Sequence, residues 1–290
     1  MKAIIFGING QDGYYLSKLL NDNGIDFIGV SRSDGNWERG DVSDFVFVEN
    51  LIKRELPDYI FHFAANSTAN HSAVFENHKN ISDGSLNILE SVFRHSKKTK
   101  IFLSGSALQF QNNGSPINEK TPFDWNSLYA VERIYSTFLA RYYRKLGISV
   151  YIGYLFNHDS PLRTERHINK KITTFVKRAK DGSRDKLVIG DMNVKKEFNY
   201  AGDIVNAIWL LVNQNNFFEA VIGSGKSYSI REWIEYCFSK EGLNYVDFIE
   251  KNTNYVSEYS VLVSDSSLIM SLGWSPSVDF YQLADMMMES

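Results

Sequence analysis

Two periods organise the hydrophobic and polar positions in the first half of the chain. Short runs rich in β-branched and aromatic residues read as strands: KAIIF (2–6), DFIGV (26–30), YIFHF (59–63), KIFLS (100–104) and SVYIGYLF (149–156). Between them apolar positions recur every three or four residues, which predicts helices over 12–22, 44–55, 81–97 and 127–146. Mostly apolar strands alternating with helices predict a parallel sheet covered on both faces, an α/β doubly wound fold of the Rossmann type. After Phe156 the texture becomes more polar and basic. Helices are expected near 167–181, 202–213 and 229–240, with short strands near 187–189 and 220–222. Residues 1–156 are read as the nucleotide-binding domain and 157–290 as a smaller substrate-binding lobe. The helix near 202–213 is the segment expected to return to the sheet.

Composition narrows the partners. A chain of 290 residues that is 43% hydrophobic can bury a substantial core. A net charge of -3 and a pI near 6.1 offer no strong field for nucleic acid or an anionic membrane. No apolar run approaches the ~20 residues of a membrane span, and the opening MKAIIFGING is too short and glycine-rich for a signal peptide. The single cysteine, Cys237, excludes an internal disulfide and a thiolate zinc cluster, and no histidine spacing suggests a metal site. A soluble protein of the reducing cytoplasm is expected.

The first predicted strand runs into GINGQDGYYLSKLL, with Gly7, Gly10 and Gly13 in the loop and first helical turn. Glycines there permit a tight turn, close approach of backbone to a pyrophosphate, and helix–strand packing, while the helix start offers free N–H groups to phosphate. The spacing therefore predicts a dinucleotide site. The second strand ends in VSRSDG, so Ser31 and Arg32 face the place where NADP carries its 2′-phosphate. NADP(H) is expected; in the alternative, Arg32 is a surface residue, Asp34 holds the ribose of NAD(H), and NAD(H) is the cofactor. Asp41 in RGDVSD follows a third short strand and is placed to accept from the adenine amino group.

Tyr129 and Arg133 lie four apart on the helix that begins near SLYAVER, hence on one face. A fixed cation favours the phenolate, as a catalytic proton carrier requires. Alone the pair is weak, because such spacing is common on solvated helices.

Together these residues resemble a family. GINGQDGYYLSKLL is similar to the opening of GDP-mannose 4,6-dehydratases, which are extended short-chain dehydrogenases/reductases, and GDVSD, FHFAANS, NISDGSLNILES, NEKTPF, SLYAVER, LFNHDSP, KKEFNYAGDIVNAIWLL and GWSP follow in the family's order. The resemblance implies cofactor contacts at Gly7, Gly10, Gln11, Asp12, Gly13, Ala64 and Ala65, and a proton-transferring Tyr129. Arg133 stands where the family has lysine. In FLSGSALQF, Gly105 stands where the family has the threonine that binds the sugar oxygen. Ala107 stands where it has the glutamate that drives elimination, and Ser106 is the nearest hydroxyl. Water loss across C5–C6 needs an acid and a base that alanine cannot supply. Reduction of a C4 ketone needs only a tyrosine, a hydroxyl and NADPH.

The resemblance implies a nucleotide-sugar substrate, bound by Asn157, Arg163, Lys171 and Lys196, the last replacing a family arginine. A second family arginine corresponds to Val256. His158 reads as structural, and Lys97, Lys98 and Lys100 as a solvated face. The segment between Val30 and Asp41 is short beside the dehydratases, so their tetramer is not expected; a homodimer through 81–97 and 127–146 is expected instead. The leading reading is a 4-ketoreductase of a GDP-linked deoxysugar in surface-polysaccharide biosynthesis. The rivals are an epimerase, a dehydratase with its acid and base recruited elsewhere, and a non-catalytic dinucleotide-binding homologue.

Overall fold

The computed structural model describes residues 1–65, 71–252, 255 and 257–290; Val256 and part of FHFAANS lie outside the described residues. The chain runs β1 (Lys2–Phe6), α1 (Gln11–Asp22), β2 (Asp26–Ser31), β3 (Glu38–Arg39), α2 (Phe45–Glu55) and β4 (Tyr59–His62). A short α3 (Val74–Asn77) passes through a π-helical stretch, His78–Asp83, into α4 (Gly84–His95), then β5 (Lys100–Ser106), α5 (Leu128–Lys145) and β6 (Ser149–Leu155). The second half holds β7 (His158–Asp159), α6 (Ile168–Lys180), β8 (Leu187–Ile189), β9 (Lys195–Glu197), β10 (Asn199–Tyr200), α7 (Ala201–Val212), β11 (Glu219–Ile222), β12 (Ser227–Ser229) and α8 (Ile230–Lys240). It closes with β13 (Ile249–Lys251), β14 (Val261–Leu262), α9 (Ser267–Met270) and α10 (Phe280–Glu289).

Seven parallel strands form the main sheet in the order β11-β6-β5-β4-β1-β2-β3. Alternation along β1 sorts the layers. Ile4 and Phe6 join a cluster with α2, α4 and α5, whereas Ala3 and Ile5 join one with α1 and α7 on the other face. Both faces are thus dry, which explains the continuous apolar text of the strands. The strand order reverses between β1 and β4, and the carboxyl ends of these two strands open the crevice in which such sheets bind ligands. β11 and α7 belong to this sheet and its flank although they follow Phe156 in the chain.

A third cluster, built on Trp233, Phe238, Phe280 and Met287, forms the core of the lobe from α6, α8 and α10. Helix α10 is absent from the pattern reading; Asp279 caps it, with Gln282 closing the reciprocal bond, and it lays Phe280, Leu283, Ala284 and Met287 on the lobe core. The lysine cluster divides. Lys100 Nζ donates to the carbonyl of Val212 at 2.8 Å and so closes the end of α7, rather than standing in solvent.

Candidate active site

Two cavities meet at the N-terminal turn of α1. One, about 420 Å³, is lined by Gly7, Gly10, Ser31, Arg32, Asp41, Ala64 and Ala65. The other, about 310 Å³, holds Tyr129, Arg133, Ser104, Ser106, Asn157 and Lys196. Phe63 and Arg166 line both. An extended two-ended ligand thus has a continuous path from the end of β2 to Tyr129.

Glycine is required at the crossing. Gly7 sits at φ +91, and a Cβ there would lie 2.7 Å from Ala64 N; a Cβ on Gly13 would lie 2.4 Å from the Gly7 carbonyl oxygen. No side chain caps α1 at Gly10, so its first N–H groups face the groove. Gln11 and Asp12 use their side chains elsewhere, while their backbone N–H groups stay at the start of α1. The Gln11 amide donates to the His158 carbonyl at 3.3 Å and accepts from Ser160 at 2.8 Å, which ties α1 to the lobe and leaves Gln11 outside both cavities.

Asp12 accepts from His158 Nε2 at 3.0 Å, while His158 Nδ1 faces the Phe156 carbonyl at 2.8 Å. With acceptors at both nitrogens, the ring is held as an imidazolium. Burial opposes both charges. Even so, His158 draws the Asp12 carboxyl below its ordinary pKa, and Asp12 raises that of His158. His158 is therefore a strut between α1 and β7.

The proton-transfer pair is anchored from three sides. Ser127 caps α5 by accepting from Ala130 N at 3.2 Å, which sets Tyr129 and Arg133 in the first turns. Arg133 Nε lies 3.3 Å from the Tyr129 oxygen, and Nη1 donates to both the Oγ (2.9 Å) and the carbonyl of Ser104. Both residues are buried, 8% and 5% exposed, so the cation acts on the phenol with little screening. Ser106 N donates to Gln109 Oε1 at 2.9 Å, and Gln109 Nε2 donates to Thr137 on α5, which fixes the turn carrying Ser106. Pattern reading missed Ser104; its position two residues before Ser106 on one strand places both hydroxyls on the same side. Gly105 faces the other way: a Cβ there would meet Tyr154 Cδ1 at 2.7 Å.

Beyond β5, the carboxylates lining this cavity among the described residues are Asp12 and Asp159. Asp159 accepts from Arg163 at 3.1 Å and Asn169 at 2.6 Å, so Arg163 is engaged within the lobe. Lys196 is buried, and among the described residues its ammonium makes no hydrogen bond, lying 5.2 Å from the centre of the Phe198 ring. Burial lowers its pKa and Asp159 opposes the shift. It lines this cavity and a third of about 370 Å³, walled by Leu108, Ile168, Ile189, Val194, Ile230 and Tyr255. Asn157 Oδ1 has no hydrogen-bond partner among the described residues. Lys171 is not brought to the site: α6 turns Ile168 and Asn169 to the cavity and buries Ile172, which carries Lys171 onto the flank. His167, unremarked in the sequence, also lines the cavity, and burial with Arg163 lowers its pKa toward the neutral ring. Among the described residues no cluster of three or more His, Cys, Asp or Glu could hold a metal, and no helix is long and apolar enough to cross a membrane.

The family model for GDP-mannose 4,6 dehydratase matches residues 4–287. GDP-mannose 4,6 dehydratase 1 of Arabidopsis thaliana is 31% identical over 322 residues, covering 99% of this chain and 88% of that protein. GDP-mannose 4,6-dehydratase of Yersinia enterocolitica is 29% identical over 304 residues, covering 94% and 80%. Among solved structures, RMD from Pseudomonas aeruginosa complexed with NADPH superposes with a TM-score of 0.87 at 19% identity, covering 99% of this chain and 97% of that one. UDP-glucose 4-epimerase of Thermus thermophilus in complex with NAD gives 0.85 at 18%, covering 100% and 98%. The chain belongs to the GDP-mannose 4,6-dehydratase family.

Proposed function

We propose that this chain is an NADPH-dependent 4-ketoreductase of a GDP-linked deoxysugar in surface-polysaccharide biosynthesis. The observation that carries the reading is the composition of the Tyr129 cavity. It keeps the phenol, the cation and two hydroxyls, but presents the methyl of Ala107 where the resemblance puts the eliminating glutamate, and both lining carboxylates are already ion-paired.

A nicotinamide dinucleotide fits the groove: the Cβ-free cradle at Gly7 and Gly10, the uncapped start of α1 and the continuous path to Tyr129 suit its diphosphate. Gly7, Gly10, Ala64 and Ala65 would hold its backbone, Asp41 the adenine, and Ser31 with Arg32 the 2′-phosphate. When bound, it supplies the hydride for C4. The protein supplies the rest. Tyr129 gives its proton to the C4 oxygen, Ser106 donates to that oxygen, and Arg133 orients the phenol and balances the charge it leaves. Lys196, at the border of two cavities, holds the sugar nucleotide's diphosphate, and the third cavity takes the nucleoside. The neutral His167 ring in the same cavity favours a second reading, in which it moves a proton at carbon and the enzyme epimerises.

The related structures that carry NAD or NADPH, and the GDP-mannose enzymes among the relatives, support the cofactor and the nucleotide. A homodimer belongs to the same reading, supported by an exposed apolar stripe on α5: Leu128, Val131, Tyr135, Phe138 and Tyr142 are 42%, 38%, 43%, 55% and 56% exposed. So does a cytoplasmic location. Mass spectrometry of GDP-mannose incubated with enzyme and NADP tests the missing elimination. Unchanged substrate is expected, and loss of one water overturns the reading.

A further inference from the structure

At the end of β2 the acidic residue that faces the cofactor groove does not come from β2. Asp34 is turned away, 88% exposed and paired with Arg39 at 3.1 Å, and it does not line the groove. Glu76, delivered by α3 from across the crevice, does line it, beside Ser31, Arg32 and Ser33. Its Oε1 lies 2.7 Å from Arg32 Nη2. Both side chains keep contact with solvent, at 55% and 42% exposure, so the pair can open without a buried charge being stranded. Ser31 Oγ and Ser33 Oγ sit 3.1 Å apart beside it, a polar floor that tolerates either a hydroxyl or a phosphate.

We infer that Glu76 is the coenzyme-selecting residue, and that the Arg32–Glu76 pair makes the adenosine end accept both NADPH and NADH. This rests on the nicotinamide-dinucleotide reading above. A 2′-phosphate brings nearly two negative charges and takes Arg32 for itself, leaving the Glu76 carboxylate beside it as a repelling neighbour. A 2′-hydroxyl leaves the ion pair intact and donates to Glu76, as it does to the acidic residue at the end of the second strand in NAD-binding folds. Arg32 draws the phosphate in and Glu76 opposes it. A chain with Arg32 alone would be selective for NADPH.

The test is fluorescence titration of NADPH and NADH against wild type, Glu76→Gln and Arg32→Ala, with far-UV circular dichroism to establish folding. Wild type is expected to bind both within about tenfold of each other, and Glu76→Gln to tighten NADPH relative to NADH by about tenfold, less at high salt. Arg32→Ala is expected to weaken NADPH while leaving NADH within about threefold. An unmoved NADPH/NADH ratio in folded Glu76→Gln overturns the inference, as does loss of both nucleotides in that variant, which would make Glu76 a structural strut. A wild type that binds neither nucleotide defeats the cofactor reading itself. No sugar substrate is needed, so failure of the ketoreductase reading cannot be mistaken for failure of this one.

Discussion

Arg133 donates from Nη1 to the Ser104 hydroxyl at 2.9 Å while its Nε sits 3.3 Å from the Tyr129 oxygen. One guanidinium therefore locks a strand end and the Tyr129 phenol together, a fork that a lysine ammonium cannot reproduce. Tyr129→Phe is expected to lower kcat by about 10²–10⁴-fold with the fold intact. Arg133→Lys keeps the cation but releases Ser104, and should lose about tenfold, whereas Arg133→Met loses as much as Tyr129→Phe. Steady-state kinetics on the three variants checks this; full turnover by Tyr129→Phe would remove the phenol from the mechanism.

The family's threonine cannot be restored by a single exchange. A Cβ at Gly105 meets Tyr154 at 2.7 Å and Gln109 Oε1 at 3.0 Å, and Tyr154 is wedged by Phe110 and held to Glu219 at 2.5 Å. Gly105→Thr should destabilise by about 1–3 kcal/mol through overpacking. Urea unfolding measures it, and an unchanged midpoint would show that Tyr154 yields freely.

Fold and site differed in how much could be read from sequence. The alternation of buried strands with capped helices is local: Asp44 and Ser127 each mark a predicted helix start, whereas the helix capped by Asp279 is not among those expected. The glycines Gly7, Gly10 and Gly13 could be read for the same reason, since their role is steric and depends on the adjacent strand. The side-chain partners of Gln11 and Arg163 could not: Ser160 lies 149 positions from Gln11, and although Asp159 is only four from Arg163, the fold alone shows that the pair forms at the wall of the Tyr129 cavity. Ser104 and Glu76 were hidden differently. Serine on a strand and glutamate on a short helix are ordinary residues until the topology sets them against Arg133 and Arg32.

Two histidines give stability opposite pH slopes. His62 is buried beside Arg133, its Nδ1 without a partner among the described residues, and burial first, then Arg133, lowers its pKa to about 3. Its folded pKa is below the unfolded one, so stability is whole above about pH 6.5 and falls by up to about 1.4 kcal/mol per unit of acidification until His62 itself protonates. His158 is raised by Asp12, so its contribution is whole below about pH 6.5 and lost as pH climbs through the folded pKa; that of Asp12 is lost as pH falls through its lowered value. Asp12→Asn should cost about 3 kcal/mol near pH 6 and less once the pH has climbed through the raised pKa of His158 and the ring has shed its proton. His62→Asn should flatten the acid slope. Denaturation from pH 5 to 9 checks both signs, and parallel profiles for wild type and variants would refute them.

The stripe on α5 gives a direct assembly test. Phe138→Glu together with Tyr142→Glu places two charges in the apolar face and should convert a dimer to monomer with little effect on monomer folding, since both side chains are more than half exposed. Sedimentation equilibrium reads the mass. A wild type that is monomeric at micromolar concentration would contradict the dimer.

The central claim is that the cavity around Tyr129 reduces a ketone rather than removing water. The measurement that bears on it most directly is the loss of NADPH absorbance when purified enzyme meets a GDP-4-keto-6-deoxyhexose, with the product identified. Stoichiometric oxidation of NADPH and a C4 alcohol are predicted. An enzyme that binds NADPH and the sugar nucleotide, oxidises none, and returns an isomerised sugar would contradict the account and assign the proton transfer to His167.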